Sequence, residues 1–207
     1  MNALRRYPLT YTLLAINLLA YLYSFFYGGS FLDISPQSLV EIGGVFPPFV
    51  VLQEEWYRIL VSMFLHGGLI HLAFNMLALV AIGQAIELYF RGFDYLSIYF
   101  ISGIVGALAS IYFHPLGVII GASGAIFGIF GATVGFFVAN RHAMMGQFKE
   151  VMHNVGFVLA LNLGIGLFFP NVDMVAHISG LLFGLGAGFL ATLNYRLYWG
   201  ATLSLLS

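Results

Sequence analysis

GASGAIFG, residues Gly121 to Gly128, sets one serine among glycines and alanines near the start of a long apolar stretch. Small residues let membrane helices approach closely, and serine is common at such contacts. A serine hydroxyl also serves as a nucleophile when a base stands beside it. The choice between packing and chemistry for Ser123 turns on what surrounds the stretch, and first on whether it lies in a membrane.

Composition answers the membrane question. The chain has 207 residues, 61% hydrophobic and 7% charged, against about 25% charged in an average soluble domain. A soluble fold of this size has too much surface to hide that many apolar side chains. The solvent is therefore a bilayer, and there is room for about six spans of roughly 20 residues each. The expected fold is all-α: a polytopic six-transmembrane-helix bundle forming a single membrane domain over residues 1–207, with no soluble appendage. The chain has no cysteine, which excludes disulfides and thiolate chemistry. A net charge of -1 argues against nucleic acid as a partner.

Spans are expected at Leu9–Tyr27, Leu69–Leu88, Tyr95–Phe113, Val118–Ala139, Val151–Phe169 and Met174–Tyr195. The first follows a basic flank, as a signal peptide would, but it runs longer and carries bulky aromatics, so it reads as a retained span. Paired glycines, Gly67 and Gly68, break the chain before the second span. Pro115 and Pro170 fall in connections, where a missing N–H does least harm. Arg5, Arg6, Arg91, Arg141, Lys149 and Arg196 all fall on one side of this arrangement. Positive charge is retained in the cytoplasm, so both termini are expected there. Only Arg58 falls opposite, in a long external loop between the first two spans, roughly Gly28 to Gly68. That loop holds Trp56, Tyr57 and an apolar run from Ile59 to Leu65 that is too short to span and suits the interface.

Polar residues inside spans are candidates for function. The second span opens LIHLAFNM, with His71 and Asn75 one turn apart on one face. The fourth contains Ser123, and the sixth opens MVAHISGLLFG, with His177 near its start. These three spans all run inward, so His71, Ser123 and His177 sit at one shallow depth. Helical phase puts His177, Gly180, Gly184, Gly188 and Ala191 on one stripe, and Gly124, Gly128, Gly131 and Gly135 on another that flanks Ser123. Packing the two stripes together brings His177 toward Ser123. A serine, two histidines and an asparagine at one level can supply a nucleophile, a base and hydrogen-bond donors. Each residue alone is also explained by helix packing. A zinc site is not indicated, since His66 and His71 lie off one helical face and no HExxH occurs.

These motifs resemble the rhomboid family of intramembrane serine proteases, in order and over nearly the whole chain: EEWYR in the external loop, then HLAFNM, GASGAIFG and AHISGLLFG. The resemblance implies that Ser123 is the nucleophile and His177 its base, and that His71 and Asn75 bind the oxyanion with the Ser123 backbone N–H. It places Gly121 in the GxSG element that shapes the serine's turn. Arg58 matches the arginine of the family's external Trp-Arg motif, with Tyr57 in place of the tryptophan. Phe127 stands where some members have a tyrosine beside the histidine. Gly124, Gly180 and Gly184 are read as supporting residues. The implied substrates are single-span membrane proteins cut in the bilayer, with no metal or other cofactor, in a bacterial inner membrane. Asp173, four residues before His177, is expected in the exposed loop, which leaves a Ser-His dyad. A small transporter, or an inactive rhomboid-like binder, remains as the alternative.

Overall fold

The computed structural model describes residues 3–142, 145–168 and 172–204, with side chains left out at 145, 147, 161–163, 165–168 and 193–204. Phe169 and Pro170, at the end of the fifth expected span, lie outside the described residues. The described elements are helical. A short α1 (Ala3–Arg6) leads into α2 (Pro8–Gly28); α3 (Pro36–Glu41), α4 (Pro47–Leu52) and α5 (Tyr57–Ser62) lie in the long connection. Then follow α6 (Leu69–Glu87), α7 (Gly92–Phe113), α8 (Ser123–Ala139), α9 (Met145–Phe168) and α10 (Met174–Ser204). Among the described residues, extended pairing is confined to two isolated bridges, Asp33 with Gly68 and Val45 with Ile119.

The protein is an integral membrane protein built as a helical bundle. Among the described residues, four helices are long and apolar enough to cross a membrane: α2, α6, α7 and the Met174–Thr192 part of α10. At 17 residues, α8 is apolar but shorter. The α9 helix runs for 24 residues and sets Val155 into the core. Outward-facing Leu19, Leu77 and Leu182 are 66%, 69% and 63% exposed, as a surface meant for lipid requires.

Helix ends are fixed by particular contacts. The first N–H groups of α2 lack a capping side chain at Tyr7. Glu87, at the far end of α6, supplies it: its carboxylate accepts the Leu9 N–H at 2.8 Å, the Thr10 N–H at 2.9 Å and the Thr10 hydroxyl at 2.6 Å. A carboxylate at a helix N-terminus satisfies orphan donors and complements the helix dipole. The start of α8 departs from expectation. Residues 118–122 are not helical, and α8 begins at Ser123 rather than Val118. Val45 and Ile119 exchange backbone hydrogen bonds at 3.2 and 2.9 Å, and Gly121 has φ +112°. Such a φ cannot continue a right-handed helix.

At the centre, α8 lies between α7 and α10 with glycines at the contacts. A Cβ on Gly180 would collide with the Gly124 carbonyl, one on Gly184 with the Gly128 carbonyl, and one on Gly188 with the Ala132 carbonyl. In return, Gly131 and Gly135 leave no room for a Cβ against the Leu181 and Leu185 carbonyls. The two expected stripes are thus the packing surface, led by Ala176 beside Gly124. Gly186, on the same helix, meets nothing within 4 Å. Overpacking typically costs about 1–3 kcal/mol, so Gly184→Ala should lower the thermal midpoint in detergent by at least that equivalent. Gly186→Ala should stay within about 0.5 kcal/mol of the parent. Equal midpoints for the two variants would contradict this backbone contact.

Candidate active site

The site grows from the turn before α8. Gly121 donates its N–H to the Ser62 carbonyl at 2.9 Å, which hangs the turn on the end of α5. Two constraints hold glycine there. Its φ lies in the left-handed region, and an ideal Cβ would stand 2.9 Å from His71 Nε2. His71 therefore lies directly against the turn, with Ser123 Oγ 3.9 Å from that same Cβ position on the other side. The first bond inside α8 runs from the Ile126 N–H to the Ala122 carbonyl at 3.0 Å. The N–H groups at the start of α8, Ser123 among them, are left without helical acceptors. A helix N-terminus presenting free donors next to a hydroxyl suits a developing negative charge.

His177 comes from the first turn of α10. Its ring is buried and stacks on Phe127 of α8, with centroids 4.1 Å apart and planes 11° from parallel. Phe127 lies one turn beyond Ser123, so the stack brings the imidazole to the serine end of α8. Among the described residues, the buried Nδ1 atom of His177 has no hydrogen-bond partner. Among the hydrogen bonds of the described residues, none joins Ser123 Oγ to His177. Catalytic hydrogen bonds are often long before substrate binds.

Asn75 is buried one turn below His71 and donates an Nδ2–H to the His71 carbonyl at 3.1 Å. That leaves it a second N–H. The four polar residues singled out by depth are thus distributed around one end of α8. Gly124, Gly180 and Gly184 make the α8–α10 contact described above. Arg58 stands apart. Its guanidinium is buried in the long connection between α2 and α6, where it bonds the Glu55 carboxylate and donates to the Val40 and Gly44 carbonyls at 2.5 and 2.9 Å. It also lies over the Phe49 ring at 5.1 Å.

Three features were missed by sequence reasoning. Asp173 is not in an exposed loop: its side chain is 21% exposed. One oxygen accepts the Ala176 N–H at 2.9 Å and the other accepts the Ser110 hydroxyl. Second, SGIVGALAS in α7 is another small-residue stripe, and its spacing was the available signal. Ser102 meets Gly128, and Gly106 meets the Ala176 backbone. Third, His66, just outside the spans, is fully buried with its ring centroid 5.0 Å from that of His71. Burial pushes its pKa down to about 3, with His71 acting in the same direction and the Phe64 carbonyl against it. It is therefore neutral at physiological pH and packs against His71. Beside Ser123 an open cleft is lined by Ser62, Met63, Gly103, Asp173 and Ala176, with an empty volume of about 330 Å³ counting the solvent at its mouth.

The chain as a whole is matched among known proteins. Residues 53–194 match the rhomboid domain family. The chain is 36% identical over 175 residues to the rhomboid protease GluP of Bacillus subtilis (strain 168), covering 84% of this chain and 33% of that protein. It is 34% identical over 169 residues to the mitochondrial RHOMBOID-like protein 6 of Arabidopsis thaliana, covering 82% and 54%. RHOMBOID-like protein 1 of the same plant is 35% identical over 158 residues, covering 75% and 40%. The chain belongs to the rhomboid family. It spans from a third to about half of the length of these three relatives.

Arg58 yields a test that is independent of chemistry. Truncating it strips the buried Gly44 carbonyl of its Arg58 donor, at about 1–3 kcal/mol, while the Val40 carbonyl keeps the Gly43 N–H. Arg58→Met should therefore speed amide hydrogen exchange across residues 40–58. Arg58→Lys should restore only part of the protection, since an ammonium lacks the planar fork. Unchanged exchange in Arg58→Met would remove Arg58 as the tie of the connection between α2 and α6.

Proposed function

We propose that this chain is an intramembrane serine endopeptidase that cuts single-span membrane proteins in the outer part of their spans. The observation that carries the proposal is the turn at Gly121. It sets Ser123 at the start of α8 beside His71, while the Phe127 stack holds His177 at the same end. Its likeness to a relative named as a rhomboid protease, GluP, supports it.

In this mechanism Ser123 Oγ attacks the scissile carbonyl carbon and its proton passes to His177 Nε2. The C–N bond then breaks, with His177 returning the proton to the leaving amine. Water attacks the acyl-serine in the same way, regenerating the hydroxyl. With its Nδ1 unpartnered, His177 and Ser123 form a dyad. The Ser123 backbone N–H, His71 and Asn75 meet the oxyanion charge, and such preorganised donors act strongly in a low-dielectric site. The family resemblance implies a small residue before the cut. A substrate helix must unwind to expose its peptide bond, so helix-weakening residues near the cut favour cleavage. On a six-span reading of the apolar stretches, the basic residues favour both termini in the cytoplasm, and the family resemblance implies a bacterial inner membrane. The site then opens to the external side.

Ser123→Ala and His177→Ala should each abolish cleavage of a single-span substrate by purified protein in liposomes, about as severely as both together. His71→Ala should retain measurable turnover. Losing one oxyanion donor costs about 10²–10³-fold, and the Ser123 N–H and Asn75 remain. Parent-like cleavage by Ser123→Ala would sink the protease reading. Parent-like turnover in His71→Ala would remove His71 from the oxyanion site.

A further inference from the structure

We infer that Asp173 is a positioning residue for His177, acting through the first turn of α10 rather than on the imidazole; this rests on the dyad reading above. In a serine–histidine site something must hold the imidazole at its working angle. Often that is an acid on Nδ1, but here Nδ1 of His177 is buried with no partner. The ring is held by two other things: the Phe127 stack on one side and the helix backbone that carries it.

Asp173 fixes that backbone. Its carboxylate accepts the Ala176 N–H at 2.9 Å, the side-chain cap that the first turn of a helix needs. Its own carbonyl accepts the His177 N–H at 3.2 Å. The second carboxylate oxygen accepts the Ser110 hydroxyl, so the cap is tied to α7. Ser110 gives its single proton to Asp173, which makes His114 Nδ1, 3.2 Å from Ser110 Oγ, the donor of that second contact. One turn earlier on α7, Gly106 sits against the Ala176 backbone, where a Cβ would stand 2.9 Å from the Ala176 carbonyl oxygen. The residue preceding His177 is therefore gripped from two sides by one face of α7. Asp173 also lines the cleft beside Ser123, so a shift of this turn moves His177 relative to the serine directly.

The substitution to asparagine separates this role from a charge effect. An asparagine keeps an oxygen for the Ala176 N–H and an amide that pairs with the Ser110 oxygen, but it carries no charge. Turnover per folded molecule and KM should be measured for the parent, Asp173→Ala, Asp173→Asn and Ser110→Ala. Misplacing a reacting group by about 1 Å costs roughly 10²-fold. A fraction of that displacement should lower kcat of Asp173→Ala about tenfold, with KM within about twofold. Asp173→Asn should keep kcat within about threefold of the parent, and Ser110→Ala should fall between the two. Asp173→Asn as impaired as Asp173→Ala would overturn positioning through the cap and assign the role to the charge. Full turnover in Asp173→Ala would overturn any role for Asp173 at His177. An inactive parent protein, by contrast, would count against the protease reading and not against this one.

Discussion

The contact on which the rest depends is backbone against backbone between α8 and α10. Helices in lipid gain little from the hydrophobic effect between them, so close van der Waals approach must hold them. Glycines 131 and 135 on one helix, and 180, 184 and 188 on the other, leave no room for a Cβ at that contact. The distance between the helices is thereby fixed, and so is the distance between the residues at this end of the pair. Ser123 opens one helix and His177 lies in the first turn of the other. A packing constraint sets the spacing of the chemistry, which is why the small residues and the serine of GASGAIFG belong to one stretch.

Around that pair, the structure supplies a frame from parts distant in sequence. The long connection between α2 and α6 is pinned by Arg58 and reaches the site twice, through the Val45–Ile119 bridge and the Ser62–Gly121 bond. These hold the turn that a left-handed Gly121 makes possible. At the opposite end of the bundle, Glu87 caps α2 and Thr10 lies 3.2 Å from the Tyr95 hydroxyl, so α2, α6 and α7 share one polar tie. Each of these contacts closes a polar donor or acceptor at a helix end or turn, and an unmet one inside a bilayer costs several kcal/mol.

Helical phase and depth singled out Ser123, His71, Asn75 and His177, because apolar surroundings leave polar residues conspicuous, and the structure brings these four to one end of α8. The same phase reasoning found both faces of the α8–α10 contact. Hydropathy misplaced the start of α8, since Val118, Ile119 and Ile120 continue the apolar run although their backbone pairs with Val45 and turns at Gly121. Asp173 was read as a loop carboxylate because its partner Ser110 lies 63 residues away. The Glu87 cap on α2 was invisible for the same reason, at a separation of 77 and 78 residues. Local pattern identifies which residues face inward; it does not say which long-range partner meets each polar atom.

The central claim is that this packing delivers an activated nucleophile. The most direct measurement is to treat the purified, folded protein with a fluorophosphonate and map the adduct by mass spectrometry of its peptides. The account predicts a single adduct on Ser123, formed at a rate that collapses in His177→Ala because the hydroxyl has lost its base. An unmodified Ser123 in the folded protein, or the same rate of modification without His177, would contradict it.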